Sequence, residues 1–130
     1  MLGGEIRKII ILAVLFLSLA YSTTWNVQPG GSIQSAIDSA SDGDLIRIAD
    51  GVYFENLIVE KNITIASHYI NNDGSIGGDL SYQTNTIIDG SQAGPSDMLG
   101  GCMLVRPSNG SNSINLSVYG LTLQNGKGSK

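Results

Sequence analysis

Residues 31–67 read GSIQSAIDSASDGDLIRIADGVYFENLIVEKNITIAS. Ile33, Ala36, Ile37 and Ala40 fall at i, i+3, i+4 and i+7, one face of a helix. Ser32 is a good N-cap and Gly43 a good stop. Ile and Ala on that face let the helix lie close against another surface. So short a helix is marginal alone and needs something to cover. After Asp44 the period changes from helical to alternating: Leu45 to Ala49 (LIRIA), Asn56 to Glu60 (NLIVE) and Asn62 to Ala66 (NITIA) read as short strands.

The same grammar extends in both directions. Upstream, Thr24 to Gln28 (TWNVQ) alternates and is ended by Pro29-Gly30-Gly31. Downstream, Asn85 to Asp89, Cys102 to Arg106, Ile114 to Val118 and Gly120 to Gln124 repeat the strand pattern. Hairpins would place two-residue turns between equal strands. Here Asp89-Gly90, Asn109-Gly110 and Asn125-Gly126 follow strands at intervals of roughly 20 residues or fewer, a solenoid period. Stacked coils would line up their inward side chains, and neighbouring coils would supply the core that no single coil can make. The helix then has a role as the lid on the first coil. The expected fold is all-β, a β-solenoid with a short N-terminal capping helix; the alternative is an α+β domain with a helix packed on a small sheet.

Composition agrees with a turn-rich β protein. Gly is 17 of 130 residues and charged residues are 14%, against about 25% in ordinary domains. The N-terminus, MLGGEIRKIIILAVLFLSLAYS, has a basic start at Arg7 and Lys8, an apolar run from Ile9 to Leu17, and small residues in Ala20-Tyr21-Ser22. That is the three-part pattern of a secretory signal peptide over residues 1–22, with the domain at 23–130. The run is short for a membrane span. The expected location is therefore secreted or cell-surface, with no membrane attachment after cleavage. The net charge is −4, and the cleaved chain would carry five basic against ten acidic residues. Such a chain is a poor partner for nucleic acid or anionic membranes. Cys102 is the single cysteine, so no internal disulfide exists, and a buried inert thiol is expected.

Gly31 to Ser67 resembles the opening of right-handed parallel β-helix proteins of the pectin lyase-like superfamily. The resemblance rests on Ile33-Gln34, Ala36-Ile37, Gly43-Asp44, Ile46, Ile48, Gly51, Tyr53, Glu55-Asn56, Lys61 and Ile63-Thr64-Ile65. The later NTIIDG and VYGLTLQNG look like further coils. The resemblance implies the right-handed form of the solenoid. It implies no chemistry, because members range from polysaccharide lyases and pectinesterases to adhesins and surface-layer proteins.

Candidate sites are sparse. The lyases of this superfamily use acidic calcium ligands and a base, but the acids here (Asp50, Glu55, Glu60, Asp73, Asp79, Asp89, Asp97) are scattered, with Arg47 and Arg106 as available bases. The paired catalytic Asp residues of pectinesterases have no counterpart before Lys130, and no catalytic residue is assigned. The segment Asn71 to Asp79 clusters Asn, Asp and Gly and reads first as a loop of plain turn formers; calcium is the alternative, with Asp73 and Asp79 as its candidate ligands. Tyr69 and Tyr82 flank a long loop and could stack on sugar rings or pack on the scaffold. Asn62, Asn109 and Asn115 head formal glycosylation sequons but suit turns equally. His68 is the sole histidine and Trp25 the sole tryptophan, the latter expected in cap packing.

Leu121 and Leu123 are expected to point inward and to leave the next coil's seat open, to be filled by further coils of the same chain or by a capping partner. The expected function is a non-catalytic surface or adhesion module that binds polysaccharide or acts as a scaffold. The alternative is the front end of a polysaccharide-active enzyme, pectate lyase-like or pectinesterase-like, with its catalytic residues beyond Lys130.

Overall fold

A computed structural model describes residues 3, 5, 22–77, 79–92, 101–108, 110 and 113–127. Apart from Gly3, Glu5 and Ser22, the expected signal peptide lies outside the described residues, as do Asp97 and Asn109. Among the described residues no helix is long and apolar enough to cross a membrane.

Among the described residues from Ser22 onward, nine strands and two short helices follow in order: β1 (Thr24–Val27), α1 (Ile33–Ser39), β2 (Leu45–Ile48), β3 (Gly51–Tyr53), β4 (Leu57–Val59), β5 (Thr64–Ser67), α2 (Ser81–Asn85), β6 (Thr86–Asp89), β7 (Met103–Val105), β8 (Ser117–Tyr119) and β9 (Thr122–Gln124). They form three sheets, ordered β1-β2-β5-β8, β3-β6-β9 and β4-β7. Every pairing between these strands is parallel. From β2 onward the chain visits first, second and third sheet in that order, again and again. Parallel neighbours cannot be joined by tight hairpins, so each return runs through the other two sheets.

The register stacks like residues. Ile46 pairs with Ile65, Ile48 with Ser67, and Ile65 with Val118. Tyr53 pairs with Ile88, which pairs with Leu123; Val59 pairs with Val105. These alternate residues face one core containing Val27, Ile46, Ile48, Tyr53, Leu57, Val59, Ile63, Ile65 and Ile88. At the β7, β8 and β9 edges the inward row is uncovered: Val105, Val118 and Leu123 are each more than two-fifths exposed.

Helix α1 packs on β1, β2 and β4 and drives Ile33 and Ile37 fully into the core. Ser32 caps it by accepting a bond from the Ser35 N–H at 3.1 Å. The helix ends at Ser39, earlier than a stop at Gly43 implies, because Ala40 turns extended (φ −69°, ψ 157°). Gly43 serves the next turn, at φ +92°.

Three further differences from the sequence pattern have local causes. Strand β3 is only Gly51–Tyr53, too short to show alternation. Helix α2 is one turn with no apolar period and no buried residue. Strand β8 begins at Ser117 rather than Ile114, because the Asn115 N–H bonds to Asn62 Oδ1 at 2.8 Å instead of entering a ladder. The period of about 20 residues holds between Ile46 and Ile65, but Ile65 to Val118 spans 53, since two long excursions intervene.

Candidate binding groove

The outer face of the first sheet would normally be polar where it meets water. Here Leu45 and Ala66 point outward, at 7% and 0% exposure. The chain after β5 folds back over them, and Ile70 with Tyr69 completes a second small apolar cluster. Arg47 fixes this cover: its Nε donates to the Ile70 carbonyl at 2.7 Å. An antiparallel bridge, Ile70 to Ile76, and a bond from the Gly77 N–H to the Tyr69 carbonyl at 2.6 Å close the loop on itself. Gly120 lets the next layer pass beneath. It sits at φ +63°, and a side chain there would meet Tyr69 Cβ at 2.5 Å.

Between this loop and the sheet runs a groove of about 440 Å³. Its floor is the register row Thr24, Leu45 and Thr64. Asn72, Asp73, Gly74 and Ile76 form one wall, and Tyr119 of β8 lines it as well. Ile76 is 62% and Tyr119 41% exposed, so apolar surface stays open to a ligand. No lysine, arginine or histidine lines it among the described residues.

The segment that carries the candidate calcium ligands supplies part of that wall. Asp73 Oδ1 accepts from the Ser75 N–H at 2.9 Å and the Ser75 hydroxyl at 2.6 Å. The Ser75 hydroxyl and N–H hold the Asp73 carboxyl below the ordinary carboxylate range. Asp79 likewise accepts from the Ser81 N–H at 2.8 Å and is lowered by that contact. Both therefore act as turn carboxylates in separate turns. Among the described residues no group of three or more His, Cys, Asp or Glu side chains could hold a metal ion.

The other singled-out residues are dispersed. Tyr69 packs on the scaffold, and Tyr82 meets His68 edge-on with ring centroids 6.0 Å apart. Burial and then the charge of Arg47 lower the His68 pKa, while Asp50 opposes them. Glu60 pairs with Arg106 at 2.6 Å. Asp50 accepts from the Thr86 hydroxyl at 3.2 Å. Cys102 is half-buried rather than buried, its thiol donating to the Gln124 carbonyl at 2.9 Å. Asn62 Nδ2 donates to Asp42 at 2.7 Å, so this sequon asparagine is a turn residue bonded to its neighbours.

The resemblance motif itself is structural. Glu55 accepts from the Ile33 and Gln34 N–H groups at 2.8 and 3.0 Å, capping the start of α1. Lys61 Nζ donates to the carbonyls of Ile37, Asp38 and Ala40 at 3.0, 2.6 and 2.6 Å, capping its end. The indole of Trp25 donates to Asp44 at 2.9 Å. These contacts tie the charged groups of the motif into the scaffold.

No protein-family model matches the chain, and neither the curated proteins nor the solved structures contain a match.

Proposed function

We propose that residues 23–130 form a right-handed parallel β-helix module, exported and displayed outside the cell, that binds polysaccharide through the groove on its first sheet. The cyclic visit to three parallel sheets supports the β-helix, and parallel crossovers in proteins are right-handed in nearly all cases. Helix α1 is its N-terminal lid, as its two buried isoleucines suggest. The residues of the N-terminal 22 support export.

The observation that carries the binding role is the groove, where an exposed tyrosine and isoleucine stand beside hydroxyl, amide and carboxylate groups. Saccharides need that mixture, because a pyranose has apolar C–H faces and a rim of hydroxyls. The role is binding rather than turnover. Hydrolysis of glycosidic bonds calls for two facing carboxylates, and the described residues that line the groove include one, Asp73.

Affinity electrophoresis through gels containing different polysaccharides tests this. Retardation by at least one glycan, with no release of unsaturated or reducing ends, is expected. Unaltered mobility in every glycan gel, or product release, overturns it.

A further inference from the structure

The electrostatics of the groove narrow its ligand. Acidic polysaccharides carry a carboxylate on each uronate. A site for them needs cations or a bridging metal. The lining has neither Lys nor Arg among the described residues, and its one charge is Asp73. Arg47, a nearby cation, is not among the lining residues, and its Nε donates to the Ile70 carbonyl. The chain as a whole is acidic, at −4, so the long-range field opposes a polyanion as well.

The remaining chemistry suits a neutral sugar. Tyr119 and Ile76 offer exposed apolar surface on which a pyranose C–H face can stack. Both Ser75 bonds to Asp73 fall on Oδ1, so Oδ2 is available to accept from a hydroxyl pair. The Thr64 hydroxyl on the floor and the Asn72 amide on the wall add neutral donors and acceptors. A carboxylate accepting from hydroxyls makes strong charge-assisted bonds, whereas a carboxylate facing a uronate is repelled.

We propose that the groove between Tyr119 and the Asn72–Gly74 wall selects neutral glycans and rejects uronate polymers. This rests on the polysaccharide-binding reading above, and the test separates the two.

The full chain is titrated by calorimetry with a neutral oligosaccharide set (gluco-, manno- and galacto-oligosaccharides) and with oligogalacturonate, each with and without calcium. Binding of at least one neutral set, with oligogalacturonate at least tenfold weaker, is expected. Tyr119→Ala should weaken neutral binding roughly tenfold, the scale of losing one stacked ring. Asp73→Asn should narrow the neutral-to-uronate ratio by reducing repulsion. Val52→Ser, on the exposed face of a different sheet, should change neither and reports on folding. Preferred binding of oligogalacturonate, with or without calcium, overturns the neutral-glycan inference but leaves polysaccharide binding standing. Binding of nothing overturns both. Neutral binding unaffected by Tyr119→Ala overturns the placement in this groove.

Discussion

The side-chain amide of Gln34 stands in for a neighbouring strand on the free edge of β4: its Oε1 accepts from the Ile58 N–H at 2.8 Å and its Nε2 donates to the Ile58 carbonyl at 3.1 Å. Sheet edges expose such groups and invite unwanted pairing. Here α1 closes the edge with one residue while its apolar face closes the core. Glu55 and Lys61 then fix the helix at its two ends, so four polar side-chain positions, Ser32, Gln34, Glu55 and Lys61, place one seven-residue helix.

Gln34→Ala removes both bonds and leaves the Ile58 peptide groups facing the helix unpaired. A loss of about 1–2 kcal/mol is expected, the scale for part-buried backbone groups left unmade. Urea unfolding measures it, and amide exchange at Ile58 should quicken more than at Ile46.

Lys61→Met keeps the aliphatic stem but removes three bonds to the last carbonyls of α1. The cation also meets the negative end of the helix dipole, so roughly 1–2 kcal/mol should be lost. Circular dichroism melts check the loss, and Lys61→Arg should recover part of it.

Acid should destabilise the protein through Asp44 and Asp89. Burial alone would raise the Asp44 carboxyl, but the Ser41 and Thr23 N–H groups and the Trp25 indole outweigh it and hold the pKa low. Asp89 is held strongly down by Ser91 and by the amides of Gln124 and Asn125. A folded-state pKa below the unfolded value of about 3.9 means stability present above that pH and lost as pH falls through the folded pKa. Melting temperature should therefore be flat from neutral pH to about 5 and fall steadily below about 4. In Asp89→Asn the acid-induced fall should be shallower and the neutral-pH stability lower.

Gly120→Ala should be severe. The residue sits at φ +63°, and the added methyl would lie 2.5 Å from Tyr69 Cβ and 2.6 Å from Ser67 Oγ. Backbone strain and the clash with the Tyr69 and Ser67 side chains together should cost upward of about 2 kcal/mol. Tyr69 would be pushed off Leu45 and Ala66, so loop proteolysis should rise along with the loss in thermal stability.

Much of the fold was legible in residues 31–67. The spacing of Ile33, Ala36, Ile37 and Ala40 marks α1, and all four are buried or packed against the core. The alternation of Ile46 and Ile48 and of Ile63 and Ile65 marks the inward rows. The groove was less legible because its parts are distant in sequence. Tyr119 reaches it by pairing with Ala66, a register that the intervening excursions hide. Leu45 and Ala66 carried the available signal, as apolar residues on the face opposite the core. The Asn/Asp-rich run is legible as a loop, and its carboxylates make turns, since Ser75 and Ser81 each follow two residues after an Asp.

The most direct test is a two-dimensional amide NMR titration of the full chain with a soluble neutral oligosaccharide. Saturable shifts centred on Thr64, Asn72, Asp73, Gly74, Ile76 and Tyr119, with β4 and β7 unmoved, are the expected result. Saturable shifts centred elsewhere, or no shifts with any neutral glycan, would contradict it.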